Sequence, residues 1–478
     1  MPQLLAKGLN RYLLPREGDM KTEGLVFLSN KLRAAVADDA AELQQLCDAA
    51  TLPGVYGPVI GLPDMHAGFG LPIGGVLACL AKGEGVVSAG AVGMDINCGV
   101  RLLATRLPAE LLDKPLLRRL LEEMEARLPT GIGRKSRHGQ LCREALPQIL
   151  CGGAGELVKR GYGRHEDLAC IEESGCLAGA HPEAVSNRAL ERAGQLSTLG
   201  GGNHFLELGV VEQVFDSETA KLFGLEGHML TVLIHTGSRG FGHQICTDYT
   251  EIMAKAAPRY GIRLPAKGLA CAPINSKEGQ DYLAAMACAV NFAFANRQLI
   301  THDVRAAFRS VFGRDDRELG LDVVYDVAHN IAKFEEHFGY QLLIHRKGAT
   351  RALPPGHAQN PSRYKRTGHP AIVPGSMNSP SYVLVGTPAV SETFCSVNHG
   401  AGRQLSRTAA RRSISREEFL SSVGNVMFNT RDYKQLLDEA PLAYKDINDV
   451  VETLAEIGLT RKIARLRPLA VIKGEGDE

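Results

Sequence analysis

The chemistry-bearing residues of this chain stand in short glycine-flanked motifs that are scattered over most of its length. The motifs are GMDINCGV (93–100), GGGNHFLE (200–207), IHTGSRG (234–240), DVAHN (326–330) and NHGAGR (398–403). If they meet at one site, the chain cannot be a string of independent modules. We therefore predict one large mixed α/β (α+β) domain over residues 1–478, with central β-sheets around an active-site cleft and flanking helices.

Hydrophobic periodicity and turn residues give a coarse map of the elements. Strands and loops are predicted over 54–105. The stretch 151–200 is predicted to consist mainly of loops, with one helix near 182–195. Further strands are predicted in LTVLIHTGSRG, LDVVYDVAHN, YQLLIHRKGATRA and LRPLAVIKG. Helices are predicted around 24–50, 108–128, 139–150, 242–258, 278–310 and 415–465. There is no long Pro/Gly/Ser linker and no internal repeat, which agrees with one domain.

Composition excludes several classes of protein. The formal net charge is +1, so any nucleic-acid site must be a local patch and not a property of the whole surface. The 11 cysteines are odd in number and include no CxxC pair, which predicts a reducing compartment. The N-terminus lacks a signal-peptide layout, and no apolar run reaches membrane-span length. We therefore predict a cytoplasmic protein without membrane association.

Five motif residues could hold metal ions. Asp95 and Cys98 stand three apart between glycines, and His204, His235 and His329 each stand where a strand-like run meets a loop. Taken singly, each is more often a turn, core or surface residue. Together they supply ligands for a two-metal site that shares the thiolate. Thiolate favours zinc and similar metals, whereas carboxylate suits manganese and magnesium.

The NHGAGR motif joins a histidine to features that suit phosphate. Glycines after His399 let a ligand approach the backbone, and Arg403 offers a planar guanidinium. The sequence contains neither a GxxxxGK[ST] loop nor Lys-x-Asp-Gly, so a nucleotide would be handled without a P-loop or a lysine nucleophile.

Nine longer stretches resemble the RtcB family of RNA ligases, in the family's order and over essentially the full length. They are PDMHAGFGLPIGGV, GMDINCGVRL, GGGNHF, HTGSRG, DVAHNIA, HRKGATRA, PGSMNSPSYVLVGT, NHGAGR and IARLRPLAVIKGEG. Two departures stand out: GGG where the family often has Gly-Ser-Gly, and GSMNSPSY where many members have GSMGTASY. In the second, Pro380 could stiffen the loop before Ser381. Neither departure removes a proposed ligand.

The resemblance implies an RtcB-like fold and the joining of RNA 3′-phosphate or 2′,3′-cyclic phosphate ends to 5′-hydroxyl ends, in tRNA splicing or RNA repair. It implies GTP, two Mn²⁺ ions per active site, and a guanylylated histidine followed by an RNA-(3′)pp(5′)G intermediate. tRNA halves are the implied substrates, with an activating protein of the archease type as a partner.

The resemblance also assigns individual residues. The guanylate acceptor would be His399, oriented by Asp64. One metal would be held by Asp95, Cys98 and His204, and the other by Cys98, His235 and His329. The nucleotide would be bound by Asn203, His204, Phe205, Glu207, His329, Asn330, Pro374, Gly375, Ser376, Met377, Ser381, Gly400, Ala401, Gly402, Tyr444 and Lys473. Phosphate and RNA contacts would come from Arg239, Arg346, Arg351 and Arg403.

Two other functions stay open on the residues alone. A two-metal phosphoesterase would need only the metal ligands, with His399 as acid or base, although the nucleotide-binding loops argue against it. A non-catalytic RNA-binding paralogue would explain the basic clusters of the last third but not the intact Cys/His/Asp set.

Overall fold

A computed structural model of the protein describes residues 3–37, 40–131, 133–429 and 433–474. Its architecture is built on two large β-sheets. The strands are β1 Leu5–Gly8, β2 Arg11–Leu14, β3 Gly24–Phe27, β4 Val59–His66, β5 Ile73–Leu80, β6 Val86–Ser88, β7 Gly99–Pro108, β8 Phe205–Val214, β9 Met229–Thr236, β10 Cys271–Pro273, β11 Gly320–Ala328, β12 Asn330–His337, β13 Tyr340–Lys347, β14 Ala349–Arg351, β15 Ala371–Val373, β16 Ser381–Gly386, β17 Ser396–Asn398, β18 Met427–Phe428 and β19 Thr460–Lys473. One sheet has the order β1-β2-β3-β4-β5-β13-β12. The other has the order β11-β7-β9-β8-β19-β16-β15, with β18 attached to β19.

Helices pack around these sheets through apolar faces. They are α1 Asn30–Ala34, α2 Ala41–Ala49, α3 Ala89–Val92, α4 Lys114–Arg127, α5 Gly139–Glu144, α6 Leu146–Lys159, α7 His165–Leu168, α8 Asn187–Leu190, α9 Ser217–Phe223, α10 Arg239–Ala256, α11 Lys277–Phe312, α12 Arg407–Ser413, α13 Arg416–Val423 and α14 Ile447–Glu456. In α4, Asp113 caps the N-terminus by accepting from the Leu116 amide, and the buried residues recur three and four apart at Leu117, Leu120, Leu121 and Met124. That spacing places them on one helix face, which packs into the core.

The longest helix, α11, is a core element. Ser276 caps its first turn by accepting from Gly279 N, and Gly313 ends it in the left-handed conformation. By length and composition α11 could cross a membrane, but 89% of its most apolar 18-residue window is buried inside the protein. Its apolar surface is therefore already covered by protein.

The polar motifs lie together at one end of four neighbouring strands of the eight-stranded sheet. β7 begins at Gly99, which pairs with Thr236 near the end of β9 and with Ala328 at the end of β11. Phe205, the first residue of β8, pairs with His235. Because neighbouring antiparallel strands run in opposite directions, this register brings His235, near the end of β9, close to the loop residues Cys98, His204 and His329.

The predicted mixed α/β architecture with central sheets is confirmed, whereas several element boundaries were wrong. Residues 24–27 form the buried strand β3 and not the start of a helix, because they pair with β2 and β4. The last strand begins at Thr460, inside the predicted 415–465 helix, since it pairs with β8 on one side and β16 on the other. The assignment of all 478 residues to the domain stays a prediction.

Candidate active site

A tight turn before β7 brings a carboxylate and a thiol together. The Cys98 amide donates to Asp95 O at 3.0 Å, and Asn97 between them has a φ of 52°. Asparagine tolerates this left-handed conformation better than most residues. His204 Nε2 lies 2.9 Å from Asp95 Oδ2 and 3.3 Å from Cys98 Sγ. These three ligand atoms therefore surround one point.

The Cys98 thiol also belongs to a second cluster. His235 Nε2 lies 3.4 Å from Cys98 Sγ and 3.3 Å from His329 Nε2. The His329 amide donates to Cys98 O at 2.9 Å, which ties the loop after β11 to the turn before β7. Within each of the two three-residue sets, the ligand atoms lie within 4.8 Å of one another, and both sets include Cys98.

Burial gives these groups the protonation states that metal ligands need. It lowers the pKa of His235 and His329 well below the ordinary value, so both imidazoles are neutral at physiological pH. Burial alone would raise the pKa of Asp95, but the hydrogen bond from His204 and the nearby charge of Arg239 outweigh it and hold that pKa below its usual range.

The donor set and its spacing fit divalent ions. Tetrahedral ligands at about 2.0 Å (nitrogen) and 2.3 Å (sulfur) from an ion lie roughly 3.5 Å apart. The Sγ–Nε2 separations of 3.3 and 3.4 Å are close to that value. Nitrogen, sulfur and oxygen donors suit a borderline divalent metal.

His399 stands beside this cluster and is held by a buried carboxylate. Its Nδ1 lies 2.7 Å from Asp64 Oδ2, which also accepts from the His399 amide at 2.9 Å. The Asp64 side chain is fully buried, so this contact fixes the ring and assigns the proton to Nδ1. The ring centroid lies 4.8 Å from that of His329. The lone pair of Nε2 is thereby left available close to the ligand cluster.

Glu439 organises another part of the wall. Its carboxylate accepts from Lys473 Nζ at 2.9 Å, from the Tyr444 hydroxyl at 2.6 Å and from Arg403 Nη1 at 3.2 Å. Lys473 Nζ also donates to Gly202 O at 2.7 Å, so the residue is fixed and not part of a frayed tail. Burial alone would raise the pKa of Glu439, but the charges of Lys473 and Arg403 lower it to about 2.

One cavity of about 400 Å³ contacts most of the residues predicted from the sequence. All five predicted metal ligands, His399 and Arg403 line it, together with every predicted nucleotide contact except Ser381. Ser381 supports the lining indirectly, because its Oγ accepts from Gly375 N at 3.1 Å. Asp64 acts from behind His399.

The structure does not bring the other three predicted RNA-contacting arginines to the cavity wall. Arg239 is buried and donates to His204 Nδ1 at 2.7 Å, behind the ligand cluster. Arg346 is fully buried in a two-bond pair with Glu335, at 2.6 and 2.8 Å. Arg351 is 2% exposed and lies 3.0 Å from Glu172. The geometry gives all three arginines internal partners.

Several lining residues carry no prediction. They are His66, Phe69, Ile73, Gly93, Met94, His243, Lys347, Gly348, Arg407, Glu439 and Val471. Lys347 stands in the HRKGATRA motif, is buried, and donates to the carbonyls of Phe69 and Gly90. Burial lowers its pKa to about 8. Glu439 stands in a segment without any glycine-flanked motif, so the sequence offered no signal for it.

Comparison with known proteins gives matches over most of the chain. A family model described as "tRNA-splicing ligase RtcB" matches residues 45–474. The chain is 48% identical to the "tRNA-splicing ligase RtcB" of Archaeoglobus fulgidus, over 95% of both chains. It is 44% identical to that of Thermococcus kodakarensis, over 97% of both. It is 43% identical to the "RNA-splicing ligase RtcB" of Mycobacterium tuberculosis, over 90% of this chain and 100% of the relative.

Proposed function

The chain belongs to the RtcB family of tRNA-splicing ligases, and from that premise we propose that it joins RNA ends through a guanylylated His399. The proposed substrates are GTP, an RNA 3′-phosphate or 2′,3′-cyclic phosphate end and a 5′-hydroxyl end, such as those of tRNA halves in the cytoplasm. The observation that carries the proposal is the 2.7 Å contact between Asp64 and His399 beside the Cys98 ligand cluster.

In the first step, His399 Nε2 attacks the α-phosphorus of GTP and pyrophosphate leaves. Asp64 supports this step because it accepts from Nδ1–H and leaves the Nε2 lone pair free. The buried carboxylate also stabilises the positive charge that develops on the ring. The Gly400 amide donates to the same oxygen at 3.3 Å, so the backbone holds the pair in place.

Guanine recognition is proposed for the wall that holds Glu207. Guanine carries an N2 amino donor that adenine lacks, and a buried carboxyl group is a suitable acceptor for it. Glu207 is 2% exposed, and burial raises its pKa to about 8. A ligand that donates to this group would favour its charged form. Lys473 supplies a cation in the same cavity.

The two residue sets around Cys98 would hold two Mn²⁺ ions. Bound there, the ions would neutralise charge on phosphate oxygens during transfer. The residues contribute a shared thiolate, neutral imidazoles and a carboxylate, which gives each ion one anionic ligand at least. The manganese preference is part of the proposal.

In the later steps, the guanylate passes from His399 to the RNA 3′-phosphate, which gives RNA-(3′)pp(5′)G. The 5′-hydroxyl then attacks the RNA phosphorus, and GMP leaves. A cyclic phosphate end would first be hydrolysed to the 3′-phosphate. Arg403 is the one of the four arginines predicted from the resemblance that lines the cavity, and we propose that it contacts phosphate. An activating protein of the archease type is a proposed partner.

The test is adduct formation with GTP labelled at the α-phosphate in the presence of Mn²⁺. Wild type should form an acid-labile, alkali-stable protein adduct, and His399→Ala should form none. His165→Ala, at the surface, is the matched control and should behave as wild type. Oligonucleotides with 3′-phosphate and 5′-hydroxyl ends should then be joined. Phosphate-ester hydrolysis without an adduct under any divalent metal would favour a phosphoesterase, and RNA binding without either reaction a non-catalytic protein.

A further inference from the structure

The guanidinium group of Arg297, on the buried helix α11, has every N–H group engaged. It is fully buried and contacts the Asp326 carboxylate through Nε at 3.0 Å and Nη2 at 2.8 Å. Nη1 donates to Asn97 O at 2.9 Å and to Thr236 O at 2.8 Å. Nη2 also donates to Asn97 Oδ1 at 3.0 Å. The five N–H donors of the rigid guanidinium group therefore hydrogen-bond to three separate chain segments.

Each of those segments carries a ligand of the proposed metal centre. Asn97 stands between Asp95 and Cys98, Thr236 follows His235, and Asp326 precedes His329 by three residues. Asn97 has a positive φ, so the turn that aims Cys98 is held in an uncommon conformation. Gly99 beside it leaves no room for a side chain, because a Cβ there would lie 2.6 Å from Val327 O and 3.1 Å from Arg297 Cζ.

Asn296, the residue before Arg297, contacts the segment that leads to His204. Asn296 Nδ2 donates to Gly237 O at 3.1 Å and to Thr198 O at 3.3 Å. Thr198 leads into the glycine loop before His204, and Gly237 follows the strand that ends near His235. Two adjacent side chains of one helix therefore connect all the segments that carry ligands.

Arg101 provides an internal comparison. It is also fully buried and donates to Asp326 Oδ2 at 2.8 Å, on the same carboxylate as Arg297. Its Nη1, however, donates to Gln298 Oε1 at 2.7 Å and to Thr301 Oγ1 at 3.0 Å, both on α11. Within the described part of the chain, Arg101 thus contacts the shared Asp326 but donates to no backbone carbonyl beside Cys98 or His235.

We propose that Arg297 is a positioning residue that sets the spacing between Cys98, His235 and His329 and thereby the affinity of the site for divalent ions. The inference rests on the proposed metal centre and assigns no ligand role to Arg297 itself. The fork acts through Asn97 O and Thr236 O. Groups that orient metal ligands from behind typically change metal affinity about 10- to 100-fold when they are removed.

The experiment compares Arg297→Lys with Arg101→Lys in the full-length, metal-stripped protein. Both variants keep a positive charge beside Asp326, so neither leaves a buried carboxylate unpaired. A single ammonium cannot reproduce the fork that spans the two carbonyls. Cobalt(II) is titrated into each protein, and the thiolate-to-cobalt charge-transfer band and the dissociation constant are measured together with stability against urea.

We expect Arg297→Lys to bind cobalt about tenfold or more weakly than wild type, with a reduced thiolate band. Arg101→Lys should stay within about twofold of wild type. Arg297→Met and Arg101→Met repeat the comparison without the charge, and Arg297→Met should again be the weaker binder. Equal affinities and bands in the two lysine variants would overturn the positioning role. If wild type binds cobalt without a thiolate band, the shared metal centre itself is refuted, whatever the ligase assay gives.

Discussion

Replacing Glu207 with glutamine should change how stability depends on pH. Glu207 lies on β8 and is almost completely buried, and burial raises its pKa to about 8, against the smaller opposing effect of a hydrogen bond to Ser381. In the unfolded chain the group has its ordinary pKa of about 4.5. Between these two values the folded protein holds a proton that the unfolded chain has released. Stability therefore falls as pH rises through this window.

The magnitude follows from the slope of one proton. Each pH unit inside the window removes about 1.4 kcal/mol of folding free energy. Between about pH 5.5 and pH 7.5 the wild type should lose roughly 3 kcal/mol relative to Glu207→Gln, which has no proton to bind. Above about pH 8 the difference should level off, because Glu207 is then charged in both states.

Urea unfolding of both proteins at several pH values, with metals chelated, measures this difference directly. Glu212→Gln is the matched control, since Glu212 lies on the same strand but at the surface, beside Arg465. A gap between wild type and Glu207→Gln that does not change over this pH range would refute the reasoning. The same variant should bind GTP more weakly, because an amide presents an N–H where a second acceptor oxygen stood.

Three further substitutions test other parts of the site. Asp64→Asn removes the negative charge and can turn an NH2 group toward His399 Nδ1, which favours the wrong tautomer, so single-turnover adduct formation with GTP should fall about 10³- to 10⁴-fold, and an unchanged rate would contradict the orienting role. Arg346→Ala leaves Glu335 buried without its main partner and should reduce the free energy of unfolding in urea by about 3–5 kcal/mol; lost RNA affinity at unchanged stability would instead indicate direct contact. Cys98→Ala removes the ligand common to both sets, so equilibrium dialysis should find both manganese ions lost, whereas retention of one at full affinity argues against sharing.

The residues around Cys98 could be named from sequence because glycine-flanked polar residues at strand ends are a local signal. The five predicted ligands stand in such motifs, and the antiparallel register of β7, β8, β9 and β11 then gathers them. The single mixed α/β domain was predicted because these motifs are scattered along the chain and must meet at one site. Strand limits such as Thr460 could not be predicted, because they depend on which strands lie alongside.

Partners distant in the chain explain what sequence reasoning missed. The family resemblance predicted Arg346 as an RNA contact, but its guanidinium pairs with Glu335 on the adjacent strand β12 in the interior. Glu439 and Arg297 stand in ordinary helical or loop sequence. Glu439 accepts a hydrogen bond from Lys473, 34 residues away, and Arg297 donates one to Asn97, 200 residues away. No local pattern encodes such pairings.

The place of β19 in the eight-stranded sheet has a consequence for biosynthesis. This last strand lies between β8 and β16, in the interior of the sheet and not at an edge. During synthesis on the ribosome, β8 and β16 therefore each have one unpaired side until residues 460–473 emerge from the exit tunnel. An unfilled gap of this kind exposes backbone groups to other nascent chains. A chain halted before Thr460 should therefore be a target of chaperones and proteases, and catalytic competence should arrive only with the final strand.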